Sequence, residues 1–216
     1  MTEALPRVGI LGGTGPQGRG LARRLAAGGV RVVLGSRTVE RAQEAAAGLG
    51  EQVGAASNAE CVRSVDVVIL AVPWEGHRET VSAAAADLAG KILVDCVNPL
   101  GFDSRGAFAL EVEEGSAAQQ AQALAPKATV VGAFHHLSAV ALLDENVESI
   151  DADVLVLGDD RSATDVVQEL ASRIAGCRGI YAGRLRNAGQ VEALTANLVS
   201  INRRYKAHAG IRVTDV

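Results

Sequence analysis

The chain has 216 residues, 48% hydrophobic and 21% charged, which suffices for one α/β domain with a smaller partner and a filled core. Its formal net charge of −4 gives no reason to expect nucleic acid or an anionic membrane as partner. No stretch approaches the roughly 18 unbroken apolar residues of a membrane span, and the opening MTEALPR lacks the basic-then-apolar pattern of a secretory signal.

Val8 to Leu11 is short, β-branched and apolar, and reads as a buried strand. It runs into GGTGPQGRG, five glycines within nine residues. From Gln17 to Ala27 a helical run places Leu21 and Leu25 four apart on one face, and Gly28 and Gly29 end it. VRVVLGS is the next strand, and Thr38 is positioned to cap a helix reaching about Gly48. VDVVILAVP and KILVDCV are two further apolar strands, separated by the helix-like GHRETVSAAAADLAG, and ATVVGAF is another. Strands that are nearly continuous apolar runs and alternate with helices predict a parallel sheet covered on both faces.

Beyond about Val140 the rhythm changes. DADVLVLGDD reads as one more strand, SATDVVQELASRIAG as a helix and GIYAG as a short strand. A last helix from about Asn187 to Tyr205 carries Val191, Leu194, Leu198, Ile201 and Tyr205 at a three-then-four spacing. The expected fold is α/β, a Rossmann-type doubly wound parallel sheet with a small C-terminal domain. Residues 1–140 form the nucleotide-binding domain, and 141–216 complete a cleft.

The glycine loop carries the first chemical reading. The order strand, Gly13-Thr14-Gly15-Pro16-Gln17-Gly18, helix raises a common motif to a dinucleotide fingerprint. Gly13 is expected at the tight turn, Gly15 where backbone approaches a pyrophosphate, and Gly18 where helix packs on strand. The phosphates then sit at the positive end of the helix, where Pro16 costs little because first-turn amides lack partners anyway.

The second strand ends in Gly35-Ser36-Arg37, followed by Arg41, with no carboxylate at its tip. An acidic residue there would bind the ribose hydroxyls of NAD and repel a 2′-phosphate. A hydroxyl and two guanidiniums suit NADP instead. The plain alternative for Arg41 is a solvated residue pairing with Glu40 or Glu44.

At these residues a family resemblance emerges. GILGGTGPQGRGLARRLA, VVLGSR and ERA resemble the NADPH-dependent coenzyme F420 reductases, which pass hydride between NADP and an 8-hydroxy-5-deazaflavin. The resemblance continues through AVPWE, AFHHLSA and the C-terminal AGRLRNAGQVEALTANLVSINRRYKAHAGIRV, and so covers nearly the whole chain. It implies a phosphate loop at Gly13, Thr14, Gly15, Pro16, Gln17 and Gly18 and a 2′-phosphate clamp at Ser36, Arg37 and Arg41. Val72, Pro73 and Trp74 match the segment lining the nicotinamide side, and His135 and Leu137 the segment contacting the deazaflavin. Arg41 stands where archaeal members carry lysine, and Ser138 where the pattern carries proline.

The remaining candidates have two readings each. Trp74 follows a strand's C-terminal end, where open α/β sheets bind ligands, and can equally be ordinary packing. His135 and His136 also follow a strand, from which adjacent residues point to opposite sides, so only His135 is expected to face a ligand. A metal site adding Asp95 and Cys96 finds no supporting His-x-x-x-His or Cys-x-x-Cys spacing. The long connection 97–115 reads as a loop over the deazaflavin site or a surface insertion, and Ser116 with Gln119 offers a capping box after it. Arg184, Arg186, Arg203, Arg204 and Lys206 are solvated faces pairing with local acids, or contacts to the polyanionic tail of the deazaflavin coenzyme or charge pairs at a subunit interface.

The implied function is reversible hydride transfer between NADP(H) and coenzyme F420, with small-molecule cofactors as partners and no catalytic nucleophile in the chain. The resemblance further implies a homodimer. Cys61, Cys96 and Cys177 are dispersed, an odd set that suits reduced thiols in a cytoplasm. Two alternatives stand beside this reading: an NADPH-dependent reductase of a small imine or ketone, and a non-catalytic NADP(H)-binding sensor.

Overall fold

The computed structural model describes residues 5–216. Val8–Leu11 (β1) leads through the glycine loop into Pro16–Ala27 (α1). Val32–Ser36 (β2), Val39–Ala46 (α2), Val53–Ser57 (β3), Asn58–Arg63 (α3) and Val67–Leu70 (β4) complete the first half. Trp74–Ala84 (α4) and Ile92–Asp95 (β5) precede a hairpin, Leu100–Asp103 (β6) and Gly106–Ala109 (β7). Ala117–Leu124 (α5), Thr129–Gly132 (β8) and Ala139–Leu143 (α6) follow. The chain then forms Ala152–Gly158 (β9), Arg161–Ser172 (α7), Cys177–Gly183 (β10) and Ala188–Tyr205 (α8).

Eight strands make one sheet in the order β10-β9-β8-β5-β4-β1-β2-β3. All neighbours are parallel except β8 and β9, so the fold is α/β and mostly parallel. The period-two alternation of strand side chains divides the core. Val8, Ile10, Val67 and Ile69 pack on one face with Leu21, Leu25, Phe134 and Val167. Leu11, Val68 and Leu70 pack on the other with Val62, Val81, Ala117 and Ala121. Residues beyond 140 continue this sheet through β9 and β10 and then pack α8 against α5 and the β6–β7 hairpin.

Three elements escape the sequence reading for definite reasons. β3, VGAAS, is a half-exposed edge strand with little apolar content. α3 and α6 span six and five residues, too short for a helical period to show. Ser57 nevertheless announces α3 with a full capping box to Glu60. Thr38, expected to cap α2, makes no side-chain cap bond.

The stretch 97–115 is partly built as the β6–β7 hairpin and not as an irregular loop. Asp103 Oδ1 accepts from Arg105 N at 2.7 Å and Gly106 N at 3.1 Å, and Gly106 takes φ +126° to close the turn. Ser116 caps α5, its Oγ accepting from Gln119 N at 3.0 Å, but Gln119 Oε1 takes the Ser116 hydroxyl at 3.2 Å and not its backbone N–H, so the expected capping box is only half formed. On the far side Arg24 stitches α1 to the end of α6, donating to the carbonyls of Ala141, Leu142, Asp144 and Val147.

Candidate active site

The phosphate-loop sequence folds as strand, turn, helix, but the turn residue is Gly12. It takes φ +74°, and a Cβ there would stand 2.5 Å from the Ala71 carbonyl oxygen. Gly13, expected in that role, is instead required by its neighbour: a Cβ would lie 2.7 Å from Leu34 Cδ2. Gly18 does allow close approach, with a Cβ 2.7 Å from Gly13 Cα. Gly15, where a Cβ would meet only the Gly12 carbonyl oxygen at an ordinary 3.5 Å, forms the N-cap of α1 with no side-chain cap, so the first-turn amides are free for an anion. Thr14 belongs to the turn between these glycines.

Ser36 ends β2 and is buried, whereas Arg37 and Arg41 beside it are exposed. Neither guanidinium forms an ion pair among the described residues, so the alternative pairing of Arg41 with Glu40 or Glu44 is not formed there. Two cations without ion pairs among the described residues stand with a buried serine at the tip of β2, a donor set of the chemistry that binds phosphate.

A cleft of about 410 Å³ opens at the C-terminal ends of β4, β5 and β8 and the N-terminus of α1. β1 lies between β4 and β2, the place where the strand order reverses and open α/β sheets bind ligands. Gly15, Pro16 and Gln17 line the cleft on one side, Val72, Pro73 and Trp74 on another, and His135, His136, Leu137 and Ser138 close it. Gly13, Thr14 and Gly18 shape the loop without lining the cleft, and Ser36, Arg37 and Arg41 stand outside it beyond β2. Gln17 Nε2 bridges the first and third groups, donating to the Phe134 carbonyl at 3.3 Å.

Both histidines reach the cleft, contrary to the alternation expected of a strand. β8 ends at Gly132, and Phe134 takes φ 63°, which turns the chain and abolishes the alternation. His136 is anchored, its Nε2 accepting from Leu155 N at 3.3 Å. His135 is 4% exposed, and neither ring nitrogen has a partner among the described residues. Burial pushes both imidazoles down to about 4, so both are neutral at pH 7. Cys96 also lines the cleft, but burial pushes its thiol up and its Sγ donates to the Leu70 carbonyl at 3.0 Å, so it is no thiolate.

Several site residues had no signal, or a weak one, in the sequence. Asn98 donates from Nδ2 to the His135 carbonyl at 2.8 Å. Thr195, Leu198, Val199 and Asn202 bring α8 over the cleft, and Ala209 follows from the segment after it. His77, Asp95, Gln120 and Glu192 form a polar cluster behind the wall, all at most 4% exposed. The available signal was spacing: His77 lies three residues after Trp74 on the same helix face.

The chain can therefore hold a dinucleotide with its phosphates at α1 and a 2′-phosphate at Arg37 and Arg41. The same cleft is walled by Trp74 and by His135, whose buried ring nitrogens have no partner among the described residues. Comparison with known proteins agrees with that chemistry. A family model described as NADP oxidoreductase, coenzyme F420-dependent, matches residues 7–99. The chain is 37% identical to the F420-dependent NADP reductase of Methanothermobacter thermautotrophicus, covering 97% of this chain and 95% of that one. It is 35% identical to the enzyme of the same name from Methanocaldococcus jannaschii, covering 97% and 99%. A crystal structure of a provisionally named F420-dependent NADP reductase from an Arthrobacter species superposes with a TM-score of 0.80 at 25% identity, covering 97% and 99%. Among the described residues no helix is long and apolar enough to cross a membrane.

Proposed function

The chain belongs to the F420-dependent NADP oxidoreductase family, and from that premise we infer that it is an NADP-dependent oxidoreductase passing hydride reversibly between NADP(H) and coenzyme F420. When bound, the two coenzymes supply the hydride donor and acceptor themselves, so the chain need provide no nucleophile. The protein's work is to bind, orient and exclude water. The observation that carries this reading is the meeting, in one cleft, of the α1 N-terminus, the Val72–Trp74 wall and the His135–Leu137 turn.

In this reading Gly13, Thr14, Gly15, Pro16, Gln17 and Gly18 cradle the pyrophosphate, and Ser36, Arg37 and Arg41 hold the 2′-phosphate. Val72, Pro73 and Trp74 wall the nicotinamide. His135, with its two free ring nitrogens, and Leu137 meet the deazaflavin. We keep the division of the chain at 140/141, with the later part supplying the lid residues of α8. A homodimer and a cytoplasmic setting belong to the same proposal. The dimer is supported by the exposed Ile201 and Tyr205 of α8, and the setting by three free cysteines.

Mixing the purified protein with NADPH and oxidised coenzyme F420 tests the reading directly. The deazaflavin absorbance band should bleach at a rate proportional to enzyme. Tight NADPH binding without bleaching would make the chain a nucleotide sensor instead. The third possibility, reduction of a small imine or ketone, is not favoured by the family to which the chain belongs.

A further inference from the structure

We propose that His77 is a positioning residue for the cleft: an imidazolium fixed between Asp95 and Gln120 that holds the Trp74 ring and the Asp95–Asn98 turn in place. The proposal rests on the hydride-transfer reading for its kinetic consequence, but its chemical content does not.

The hydrogen-bond directions assign the protons. Gln120 Nε2 donates to Glu114 Oε2 at 3.0 Å, which turns its Oε1 toward His77 Nδ1 at 2.9 Å. An amide oxygen can only accept, so Nδ1 carries hydrogen. On the other side His77 Nε2 lies 2.7 Å from Asp95 Oδ2, while Asp95 Oδ1 accepts from Val97 N at 2.9 Å. A carboxylate is an acceptor only, so Nε2 carries hydrogen as well. A ring that donates at both nitrogens is charged.

The surroundings support that charge. His77 and Asp95 are both 0% exposed, and burial by itself would neutralise the ring. The Asp95 hydrogen bond and charge, then Gln120 and Glu192, outweigh burial and raise the imidazole above its ordinary value. Of the other titratable groups near the cluster, His135 faces Asp95 but is kept neutral at pH 7 by burial. Glu114 pairs with Arg78 at 2.8 Å. Glu192, from α8, caps α5 by accepting from Ala117 N at 2.9 Å and Ala118 N at 3.1 Å. Burial pushes Glu192 up to about 7, so at neutral pH it supplies part of a negative charge.

Two routes lead from His77 to the cleft. The first is its stacking neighbour, Trp74, whose ring centroid lies 5.3 Å away at 37°. A cation within about 6 Å of an indole centroid is attracted by the ring's quadrupole, so the imidazolium holds the Trp74 ring in the wall. The second runs through Asp95, whose Oδ1 sets the backbone of Val97. Asn98, next in the chain, holds the His135 carbonyl. His77 thus acts on both sides of the space where the two coenzymes would meet, and touches neither.

Trp74 is the single tryptophan, so its emission reports on this ring with no coenzyme present. Protonated imidazole quenches indole more strongly than neutral imidazole. The native protein should show dim emission at neutral pH with no titration in the ordinary histidine range at about 6.5, and His77→Gln should be brighter. A rise in native emission centred near the ordinary histidine value of about 6.5 would overturn the assignment. Nitrogen NMR of the ring should show both nitrogens protonated at pH 8, and one bare nitrogen would also overturn it. If His77→Gln does not fold, Gln120→Met removes the second acceptor, together with the Nε2 donor to Glu114, and should move the titration of the ring downward. An unchanged profile in that variant would count against the proposal.

The positioning role has its own readout. In single-turnover hydride transfer, His77→Gln should be slower by about ten- to a hundredfold, the scale of a misplacement of up to 1 Å. Its NADPH dissociation constant should change less than twofold. Adding Asn98→Ala should cost less than the product of the two single effects. An unchanged rate, or full additivity, would reduce His77 to a structural residue. A native protein that transfers no hydride would defeat the functional reading, while emission and NMR would still judge the ion pair.

Discussion

Asn98 Nδ2 donates to the His135 carbonyl across 2.8 Å, tying the turn after β5 to the turn after β8. The bond holds the His135 backbone, while both imidazole nitrogens are buried with no partner among the described residues. A side chain arranged this way presents hydrogen-bonding capacity without charge, because burial keeps the ring neutral down to about pH 4.

His135 is therefore expected to position a ligand and not to shuttle a proton. His135→Asn should lower deazaflavin affinity roughly 2- to 13-fold, the worth of one hydrogen bond of about 0.5–1.5 kcal/mol. Single-turnover transfer at saturating coenzymes isolates the chemical step from binding. A loss beyond about a hundredfold in that step, with NADPH binding intact, would make the histidine a general acid or base.

Arg37 decides nucleotide choice. Its exposed guanidinium has no partner among the described residues, so its removal disturbs no internal bond. Hydrogen bonds to charged groups are worth about 1.5–3 kcal/mol, so Arg37→Ala should weaken NADPH roughly 10- to 150-fold. NADH should be nearly unaffected. Equal losses measured by fluorescence titration would mean that Arg37 serves the fold.

These two predictions draw on residues legible in the sequence, and the reason is local. The glycine loop, the tip of β2 and the Val72–Trp74 segment each follow directly on a buried apolar strand, so chain order alone brings them to one edge of the sheet. Even there the backbone demand fell one residue earlier than the motif suggests, on Gly12, because which glycine takes positive φ depends on contact with Ala71. What could not be read was set by contacts distant in sequence. His77 meets Gln120 across 43 residues and Asn98 meets His135 across 37, and no periodicity encodes such pairs. The five-residue apolar stripe of α8 also divides in the fold: Val191 and Leu198 are buried, while Leu194, Ile201 and Tyr205 remain exposed.

That exposed side is the basis for expecting a dimer. Tyr205 is 73% exposed and Phe102, on the β6–β7 hairpin beside α8, is 70% exposed. Large apolar side chains grouped on one surface mark an interaction site more often than free surface. Sedimentation at micromolar concentration should give a species of twice 22.2 kDa, and Tyr205→Arg should shift it toward the monomer. A single 22.2 kDa species in the native protein would remove the dimer.

Arg24 tests how the helices flanking the site are held. Its guanidinium satisfies carbonyls at the C-terminal end of α6, where the helix leaves them without internal partners. Arg24→Met keeps most of the apolar stem but orphans those oxygens. The expected loss is roughly 3 kcal/mol, the upper range for a buried acceptor left unsatisfied, read as a lower urea midpoint at unchanged slope. A change below about 0.5 kcal/mol would show that water replaces the guanidinium.

Asp153 makes the C-terminal segment acid-sensitive. Its side chain is fully buried in β9 and accepts from Arg178 at 2.7 Å through each oxygen. It also accepts from Val213 N at 2.6 Å and Arg212 at 2.7 Å, while Arg178 holds the Val213 and Val216 carbonyls. The Arg178 hydrogen bonds first, then Val213 and Arg212, hold the carboxyl far below its ordinary 3.8. The unfolded chain therefore binds a proton at a pH where the folded chain does not, so stability rises with pH across that window. The contribution is fully present above about pH 5 and fades as pH falls through the ordinary aspartate range and below it. Urea unfolding at intervals between pH 5 and 2.5 should show a falling midpoint in the native protein. Asp153→Asn should be less stable at pH 7 and show a shallower fall. The same segment carries Ala209 into the cleft wall, so acid that frees the C-terminus should also weaken NADPH binding. Parallel slopes in the two proteins would assign the acid sensitivity to other carboxylates.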